Sequence, residues 1–195
     1  VREFSRQISK IMRKIAVKYV ENNNLQPQLI EINNIENYLG IRKYINSKVP
    51  NIPQIGYAIG LAWTSVDGTL TIVESKLIEC GNGELLLTGQ LGDVLKESAT
   101  TAFSYIKSNL NKYNIKKEIL KEYNVHIHMP EGAVPKDGPS AGITLALSIM
   151  STLTNCAIRN DIAMTGEITL TGDGVQIGGL KEKGLAAYRN NIKTV

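Results

Sequence analysis

Residues 130–154 constrain the fold of this chain more than any other stretch, because a loop rich in proline and glycine runs directly into a long apolar segment. Proline fixes φ and glycine tolerates positive φ, so residues 130–139 predict a shaped loop. From Ala141 onward the residues are apolar or carry a hydroxyl for longer than a strand usually runs. This pattern predicts a helix that is buried nearly all round. Pro139 suits the first helical position, which puts Ser140 in the first turn.

A serine in the first turn of a helix lies beside unpaired backbone N–H groups and the positive end of the helix dipole. Those donors could stabilise an oxyanion, which is the main requirement of acyl-transfer chemistry. Two other interpretations fit the same pattern. Ser140 could be a helix cap or a small residue at a tight contact, or the glycine-rich loop could bind a phosphate. The loop and helix alone do not decide among the three.

Two further stretches complete a set of motifs. Residues 163–167 read AMTGE and residues 177–187 read IGGLKEKGLAA, while residues 135–142 read PKDGPSAG. Together they resemble the proteolytic domain of the Lon family of ATP-dependent serine proteases, and the resemblance covers nearly the whole chain. It implies that Ser140 is the nucleophile and that Lys183 is its general base, with a spacing between them that fits the family.

The resemblance also implies roles for five other residues. Thr165 matches the threonine that hydrogen-bonds and orients the lysine, and Glu74 matches an acid near the dyad. Arg2 falls on the position whose arginine senses the nucleotide in the full-length enzyme. Asp137 and His128 are expected as supporting residues, Asp137 as a helix cap or loop clamp. Without the resemblance, Thr165 reads as a strand-end hydroxyl and Glu74 as a solvated carboxylate.

A lysine can act as a base only when it is neutral, which requires an apolar pocket or a neighbouring cation. Around Lys183, the residues at helical spacing are small or apolar: Leu180, Ala186 and Ala187. Around Lys181, they are Leu185 and Tyr188. Helical periodicity therefore does not choose between the two lysines, whereas the resemblance chooses Lys183.

His126 and His128 suggest two rival sites. They share one face of the strand predicted over residues 125–129, and with Asp137 they could complete a Ser-His-Asp triad. The shared face could also hold a metal, but no third ligand stands at a suitable spacing. We predict structural, hydrogen-bonded histidines close to the active site, and no metal.

The chain is predicted to contain two parts joined by a linker. Residues 1–45 resemble the end of the small helical subdomain of a Lon ATPase module. Within this part we predict a helix, a strand-like run and a short helix, over residues 1–20, 29–32 and 35–39. Residues 46–55 hold two prolines and are the predicted linker. Residues 56–195 are expected to be the serine protease domain, truncated before the closing strand and helix of the family.

Strand and helix patterns follow one another in the second part. The predicted strands occupy residues 57–64, 68–74, 84–88, 125–129, 161–164 and 168–170. The predicted helices occupy residues 91–110, 141–154 and 180–189, and the apolar side of the first comprises Val94, Leu95, Ala102, Phe103 and Ile106. This order predicts a mixed α+β domain with helices packed on sheets. The resemblance implies the Lon proteolytic fold, which is ribosomal protein S5 domain 2-like.

Charge and cysteine content narrow the possible partners. The net charge is +4, and residues 1–20 carry six basic side chains against one acidic residue, Glu3. Such a helix is most often a solvated face, although a nucleic acid or another anion could contact it. Cys80 and Cys156 have no metal-binding spacing, which favours small core residues in a reducing compartment. No apolar run approaches the length of a membrane span.

The resemblance implies an endopeptidase that hydrolyses unfolded or damaged proteins. It implies ATP and Mg²⁺ for the full-length enzyme and no cofactor for the peptidase step. The chain has no phosphate loop of the form GxxxxGKS or GxxxxGKT, so ATP hydrolysis would need a part absent from it. The implied full-length form is a homohexamer with possible DNA contact. The implied location is the cytoplasm if the source is a bacterium, and the mitochondrial matrix if the source is a eukaryote.

Two alternatives belong to other classes of protein. Residues 135–142 could hold a nucleotide or sugar phosphate, as in small-molecule kinases of related architecture, but such a site has no need for Lys183. The domain could also have lost proteolysis and only assemble into rings, but the presence of both Ser140 and Lys183 argues against this. One segment departs from the family pattern: residues 174–177 read GVQI, where the family more often has a hydrophobic residue, proline and isoleucine.

Overall fold

The structure is a computed structural model that describes residues 1–22, 27–41, 49–64, 67–79 and 81–195. The chain divides into two compact units, Val1–Asn46 and Ser47–Val195. Cys80, discussed above, lies outside the described residues, as do residues 65 and 66 between the first two predicted strands.

The first unit contains two helices. α1 spans Arg2–Asn22 and α2 spans Glu36–Leu39, as the helical periodicity of both segments predicts. The side chain of Lys10 donates a hydrogen bond from Nζ to the carbonyl of Leu39 at 3.0 Å. At least one of the basic side chains of α1 therefore helps to hold α2.

The strand predicted over residues 29–32 is wrong, because this run is irregular chain that leads into a turn. The side chain of Asn34 explains the difference. Its Oδ1 accepts the backbone N–H of Glu31 at 2.9 Å, and its Nδ2 donates to the carbonyl of Leu29 at 2.8 Å. The Asn34 side chain thus bonds to backbone groups that would otherwise pair with a neighbouring strand.

The second unit is built on a four-stranded sheet with the order β1-β2-β4-β3. The strands are β1 (Tyr57–Trp63), β2 (Gly68–Glu79), β3 (Leu85–Thr88) and β4 (Tyr123–His128). β3 and β4 run parallel, whereas the other neighbours are antiparallel. One row of register partners crosses all four strands: Tyr57, Glu74, His128 and Thr88.

Helices and a small ribbon complete the second unit. The helices are α3 (Asp93–Ser108), α4 (Ile119–Glu122), α5 (Gly142–Thr154) and α6 (Leu180–Arg189). The ribbon pairs β5 (Glu167–Ile168) with β6 (Gly174–Val175), and short 3₁₀ turns span Leu110–Tyr113 and Pro139–Ala141. This arrangement confirms the mixed α+β fold, although the sequence analysis missed α4 and β6.

The main core lies between one face of the sheet and the helices α3 and α5. Val125 and Ile127 of β4 are fully buried in it, so the alternating residues His126 and His128 face the other side. Val94 was predicted on the apolar side of α3, but it is 45% exposed. It follows Asp93 at the start of the helix and is offset by about 100° from Leu95, which points inward.

Four buried hydroxyl residues, which we call the hydroxyl ladder, join α5 to β2: Ser75, Ser148, Ser151 and Thr152. Ser75 donates to the carbonyl of Ser148 at 2.7 Å, and Thr152 donates to the carbonyl of Ser75 at 3.1 Å. Ser148 donates to the carbonyl of Gly56 at 2.8 Å, while Ser151 accepts the N–H of the same glycine at 2.9 Å. Each hydroxyl is thus bonded, which removes the cost of burying it.

A second, smaller core lies under α6. It comprises Ile59, Leu61, Leu70, Ile72, Ala163 and Ala187. The strand predicted over residues 161–164 forms only isolated bridges, one of them between Met164 and Gly60 of β1. The backbone N–H of Leu61 donates to the carbonyl of Met164 at 3.0 Å. This short pairing brings the next residue, Thr165, to the edge of the sheet.

The environment of Cys156 differs from its prediction. Cys156 is exposed, so its prediction as a core residue is wrong. It lies just beyond Asn155, the left-handed residue that ends the buried helix α5. Of the helices in the described part of the chain, none is long and apolar enough to cross a membrane.

Candidate active site

Ser140 lies in the short 3₁₀ turn Pro139–Ala141 that leads into α5, so its predicted place in a first turn is confirmed. Gly138 enters this turn with φ of +109°, a conformation that favours glycine. The carbonyl of Ser140 accepts the N–H of Gly166 at 2.7 Å. The serine is therefore fixed through its backbone by the segment that follows Thr165.

Lys183 is 1% exposed and lies at the end of the first turn of α6. Its Nζ donates a hydrogen bond to Oγ1 of Thr165 at 2.9 Å. Burial lowers the pKa of the Lys183 ammonium, because desolvation disfavours the charged form. Lys181 is exposed. Helical periodicity left the two lysines equivalent, and the structure distinguishes them by burial.

Ser140 and Lys183 line the same cavity of about 240 Å³. Its other lining residues are Ala62, Trp63, Asp137, Gly138, Pro139, Gln176, Ile177 and Gly178. Within the described part of the chain, the amine of Lys183 is bonded to Thr165 and not to the hydroxyl of Ser140. Residues 174–177, the segment that departs from the family pattern, contribute Gln176 and Ile177 to the wall of this cavity.

Thr165 links the two residues. Its hydroxyl accepts the hydrogen bond from Lys183 and donates to the carbonyl of Ser140, at 3.4 Å. A threonine hydroxyl has a single proton, so donation to this carbonyl leaves its lone pairs for the amine. Thr165 therefore orients the amine of Lys183 relative to the turn that carries Ser140.

A second cavity of about 170 Å³ adjoins Ser140. Most of its wall is apolar, with contributions from Leu61, Leu70, Leu95, Met129, Val134, Pro135 and Ala141. Trp63 lines both cavities, and the sequence analysis did not identify it. The available signal was that Trp63, the only tryptophan of the chain, ends a strand.

Asp137 caps a helix. Its Oδ1 accepts the backbone N–H of Leu95, in the first turn of α3, at 3.0 Å, and the N–H of Gly138 at 2.9 Å. The carboxylate fits closely against Gly92, where an added Cβ would lie 2.3 Å from the Asp137 Cγ. These contacts use Asp137 to join the loop to α3, and they do not place it in a triad with a histidine.

We expect Asp137→Ala to destabilise the domain by about 1 kcal/mol, the usual cost of losing a helix cap. Asp137→Asn keeps an oxygen acceptor and should therefore lose clearly less stability. Urea unfolding followed by circular dichroism measures both values. Equal stability of the alanine variant and the wild type would show that the cap contributes nothing.

Lys136 closes the loop that precedes Asp137. Its Nζ donates to the carbonyls of Glu131, Val134 and Gly89, at 2.9, 3.2 and 3.4 Å. Burial lowers the pKa of Lys136, while the nearby Glu131 raises it. Because this cation is bonded to three carbonyls of the protein itself, the phosphate-loop interpretation loses its most suitable basic group.

Glu74, His126 and His128 line a different depression of about 220 Å³, together with Tyr57. Burial raises the pKa of the Tyr57 phenol, and the Glu74 carboxylate raises it further. Neither the two histidines nor Glu74 lines a cavity of Ser140. The structure thus brings Thr165 and Asp137 to the site and leaves Glu74 and His128 outside its cavities.

The two histidines share a partner. Oγ1 of Thr88 lies 2.9 Å from Nε2 of His126 and 2.8 Å from Nδ1 of His128. Among the described residues, no group of three His, Cys, Asp or Glu side chains is placed to hold a metal. Arg2 is exposed at the start of α1, in the first unit, and its nucleotide-sensing role stays a prediction.

The sequence of this chain is similar to those of known proteins of one family. A sequence model described as the Lon protease (S16) C-terminal proteolytic domain matches residues 29–195. The Lon protease of Clostridioides difficile is 51% identical over all of this chain and 25% of its own length. The Lon proteases of Finegoldia magna and Buchnera aphidicola subsp. Baizongia pistaciae are 47% and 48% identical, again over all of this chain and 25% of theirs.

The matched model and these relatives define the class of this chain as a proteolytic domain. The chain belongs to the family of Lon protease (S16) C-terminal proteolytic domains. It spans about a quarter of the length of the curated relatives that it matches.

Proposed function

We propose that this domain hydrolyses peptide bonds with Ser140 as nucleophile and Lys183 as general base. The observation that carries the proposal is the burial of Lys183, beside Thr165, in the wall of the cavity that Ser140 also lines. A serine hydroxyl needs a base to become a nucleophile. Burial favours the neutral amine, and only a neutral amine can accept the proton.

The reaction then proceeds through an acyl-enzyme. The amine of Lys183 takes the proton of the Ser140 hydroxyl while Oγ attacks the carbonyl carbon of the scissile peptide bond. Backbone N–H groups of the turn at Ser140 stabilise the oxyanion of the tetrahedral intermediate, since the first two N–H groups of α5 already donate to the carbonyls of Pro139 and Gly166. The Lys183 ammonium gives its proton to the departing amine, and the ester remains on Ser140. A water molecule, deprotonated by Lys183, hydrolyses this ester and restores the serine.

Thr165 is the orienting residue in this proposal. It holds the Lys183 amine through Oγ1 and is itself held by the carbonyl of Ser140. An ammonium has three donors, so its bond to Thr165 leaves two for the leaving group and the serine. The threonine therefore keeps the base in place in both protonation states.

The two cavities at Ser140 favour an extended substrate. Volumes of about 240 and 170 Å³ suit individual side chains, and neither could admit a folded domain. A peptide bond inside a compact protein would have to be exposed first. We therefore propose unfolded or damaged polypeptides as the substrates.

The wider assignments concern the longer protein and rest on the family resemblance. We propose ATP and Mg²⁺ as cofactors of an ATPase part, a homohexameric assembly and a possible contact with DNA. The peptidase step uses neither ATP nor a metal. In a bacterial cell, as for the relatives compared above, the proposed place of action is the cytoplasm.

Cleavage of a fluorescent, unfolded casein substrate by this chain tests the proposal. We expect a slow rate that neither ATP nor EDTA changes, and no cleavage of a folded control protein. The assay should cover a wide range of protein concentration, because a site completed by subunit association becomes active by mass action. Loss of activity on chelation, or ATP-stimulated cleavage of the folded control, would contradict the proposal.

A further inference from the structure

The end of the β1–β2 hairpin touches α6 at three points along the helix. We define this hairpin end by three described residues: Trp63, Asp67 and Gly68. We propose that it positions Lys183 for reaction, so that Gly68 and its neighbours are positioning residues for the general base. The inference rests on the proposed function of Lys183.

Gly68 makes the closest of the three contacts. A Cβ added to it would lie 2.1 Å from the carbonyl oxygen of Glu182 and 3.0 Å from the backbone nitrogen of Lys183. The first residue of β2 therefore lies directly against the helix backbone at the residue that carries the base. No larger side chain fits here unless the helix moves.

Asp67 and Arg189 make the second contact, at the C-terminal end of α6. Nη2 of Arg189 lies 2.8 Å from Oδ1 of Asp67 and 3.0 Å from the carbonyl oxygen of Gly68. The hydrogen bond between the pair lowers the pKa of Asp67 and raises that of Arg189. Both groups are thus charged over the working pH range, and one guanidinium nitrogen holds two adjacent residues of the hairpin.

Trp63 makes the third contact, at the N-terminal end of α6. A Cβ on Gly179 would lie 2.5 Å from the indole ring, so the ring packs on the backbone at the residue that precedes the helix. Gly179 has φ of +70°, where glycine is favoured for a second, independent reason. The tryptophan therefore limits movement of the first turn of α6.

These contacts hold α6 before, at and beyond Lys183. Rotation or sliding of the helix would carry the amine away from Thr165, its hydrogen-bond partner in the described structure. Reaction rates are sensitive to such shifts, because a displacement of about 1 Å at a reacting group costs about 100-fold in rate. The hairpin end thus acts on catalysis through the position of the base.

Gly68→Ala tests the inference, with Gly184→Ala as the matched control, since a Cβ at Gly184 meets nothing within 4 Å. We expect Gly68→Ala to lower kcat by about 100-fold with little change in KM. The displaced amine gains solvent, so its pKa rises and the ascending limb of the pH–rate profile moves to higher pH. Gly184→Ala should keep wild-type kcat, KM and profile.

A second pair of variants covers the case in which Gly68→Ala does not fold. Arg189→Met should lower kcat by about threefold, a size typical of exposed ion pairs. The charge-swapped double variant Asp67→Arg/Arg189→Asp should recover part of that loss. A wild-type kcat in folded Gly68→Ala, or in Arg189→Met where Gly68→Ala does not fold, would overturn the positioning role.

Lys183→Ala, assayed in parallel, separates the two hypotheses. If Lys183→Ala is inactive and folded Gly68→Ala is fully active, the positioning role of the hairpin end is refuted. The assignment of Lys183 as the base then still holds. An active Lys183→Ala instead refutes the proposed function itself.

Discussion

Ser140→Ala abolishes peptidase activity, with an expected loss of about 10⁴-fold or more in kcat, because the attacking oxygen is removed. The fold should persist, since the contacts that fix this turn are made by the carbonyl of Ser140, which alanine retains. Hydrolysis of the unfolded casein substrate measures the loss, and thermal unfolding measures the stability.

The stability measurement separates loss of chemistry from loss of structure. A folded Ser140→Ala variant that still cleaves casein at the wild-type rate would exclude Ser140 as the nucleophile. As an independent probe, a fluorophosphonate should label the wild-type protein at Ser140 and leave the alanine variant unlabelled.

Lys183→Ala and Lys183→Arg are both expected to lose nearly all activity, whereas Lys181→Ala retains most of it. An alanine has no base, and an arginine in this setting cannot release its proton. The loss for Lys183→Ala should be of the same order as for Ser140→Ala, because residues that act as a unit are not additive. Rates at several pH values, from purified variants of equal concentration, measure the effect.

Lys181 is the matched control for this series. It lies two residues away on the same helix, carries the same charge and is exposed. If Lys181→Ala is the inactive variant and Lys183→Ala is active, the base is Lys181 and the burial argument fails. The arginine variant tests whether charge alone suffices, because it keeps the cation and removes the base.

The parts of the fold that sequence patterns predicted are those in which local chemistry and burial agree. The loop of residues 130–139 and the buried helix after it belong here, since proline, glycine and a long apolar run all favour the same structure. The bounds predicted for α6 match the structure. The place of Ser140 follows from Pro139, whose fixed φ suits the start of a helix.

The parts that were missed depend on contacts between distant residues. Which of Lys181 and Lys183 is buried depends on how α6 meets Gly68, which no spacing within the helix records. The cap formed by Asp137 joins residues 42 positions apart, so periodicity could not choose it over a loop clamp. The strand predicted at residues 29–32 failed because one side chain, Asn34, bonds to the backbone there.

The hydroxyl ladder has a consequence for how this domain can change in evolution. Apolar core positions such as Ile106 and Leu145 tolerate exchange for residues of similar volume. The ladder is less tolerant, because an apolar residue in place of Ser151 removes the oxygen that accepts the buried N–H of Gly56. A substitution at Ser151 should therefore survive only where the new side chain also carries an acceptor. The helix that begins beside Ser140 is thus held in register by hydrogen bonds. We expect the residues that form these bonds to change more slowly in evolution than the apolar core residues around them.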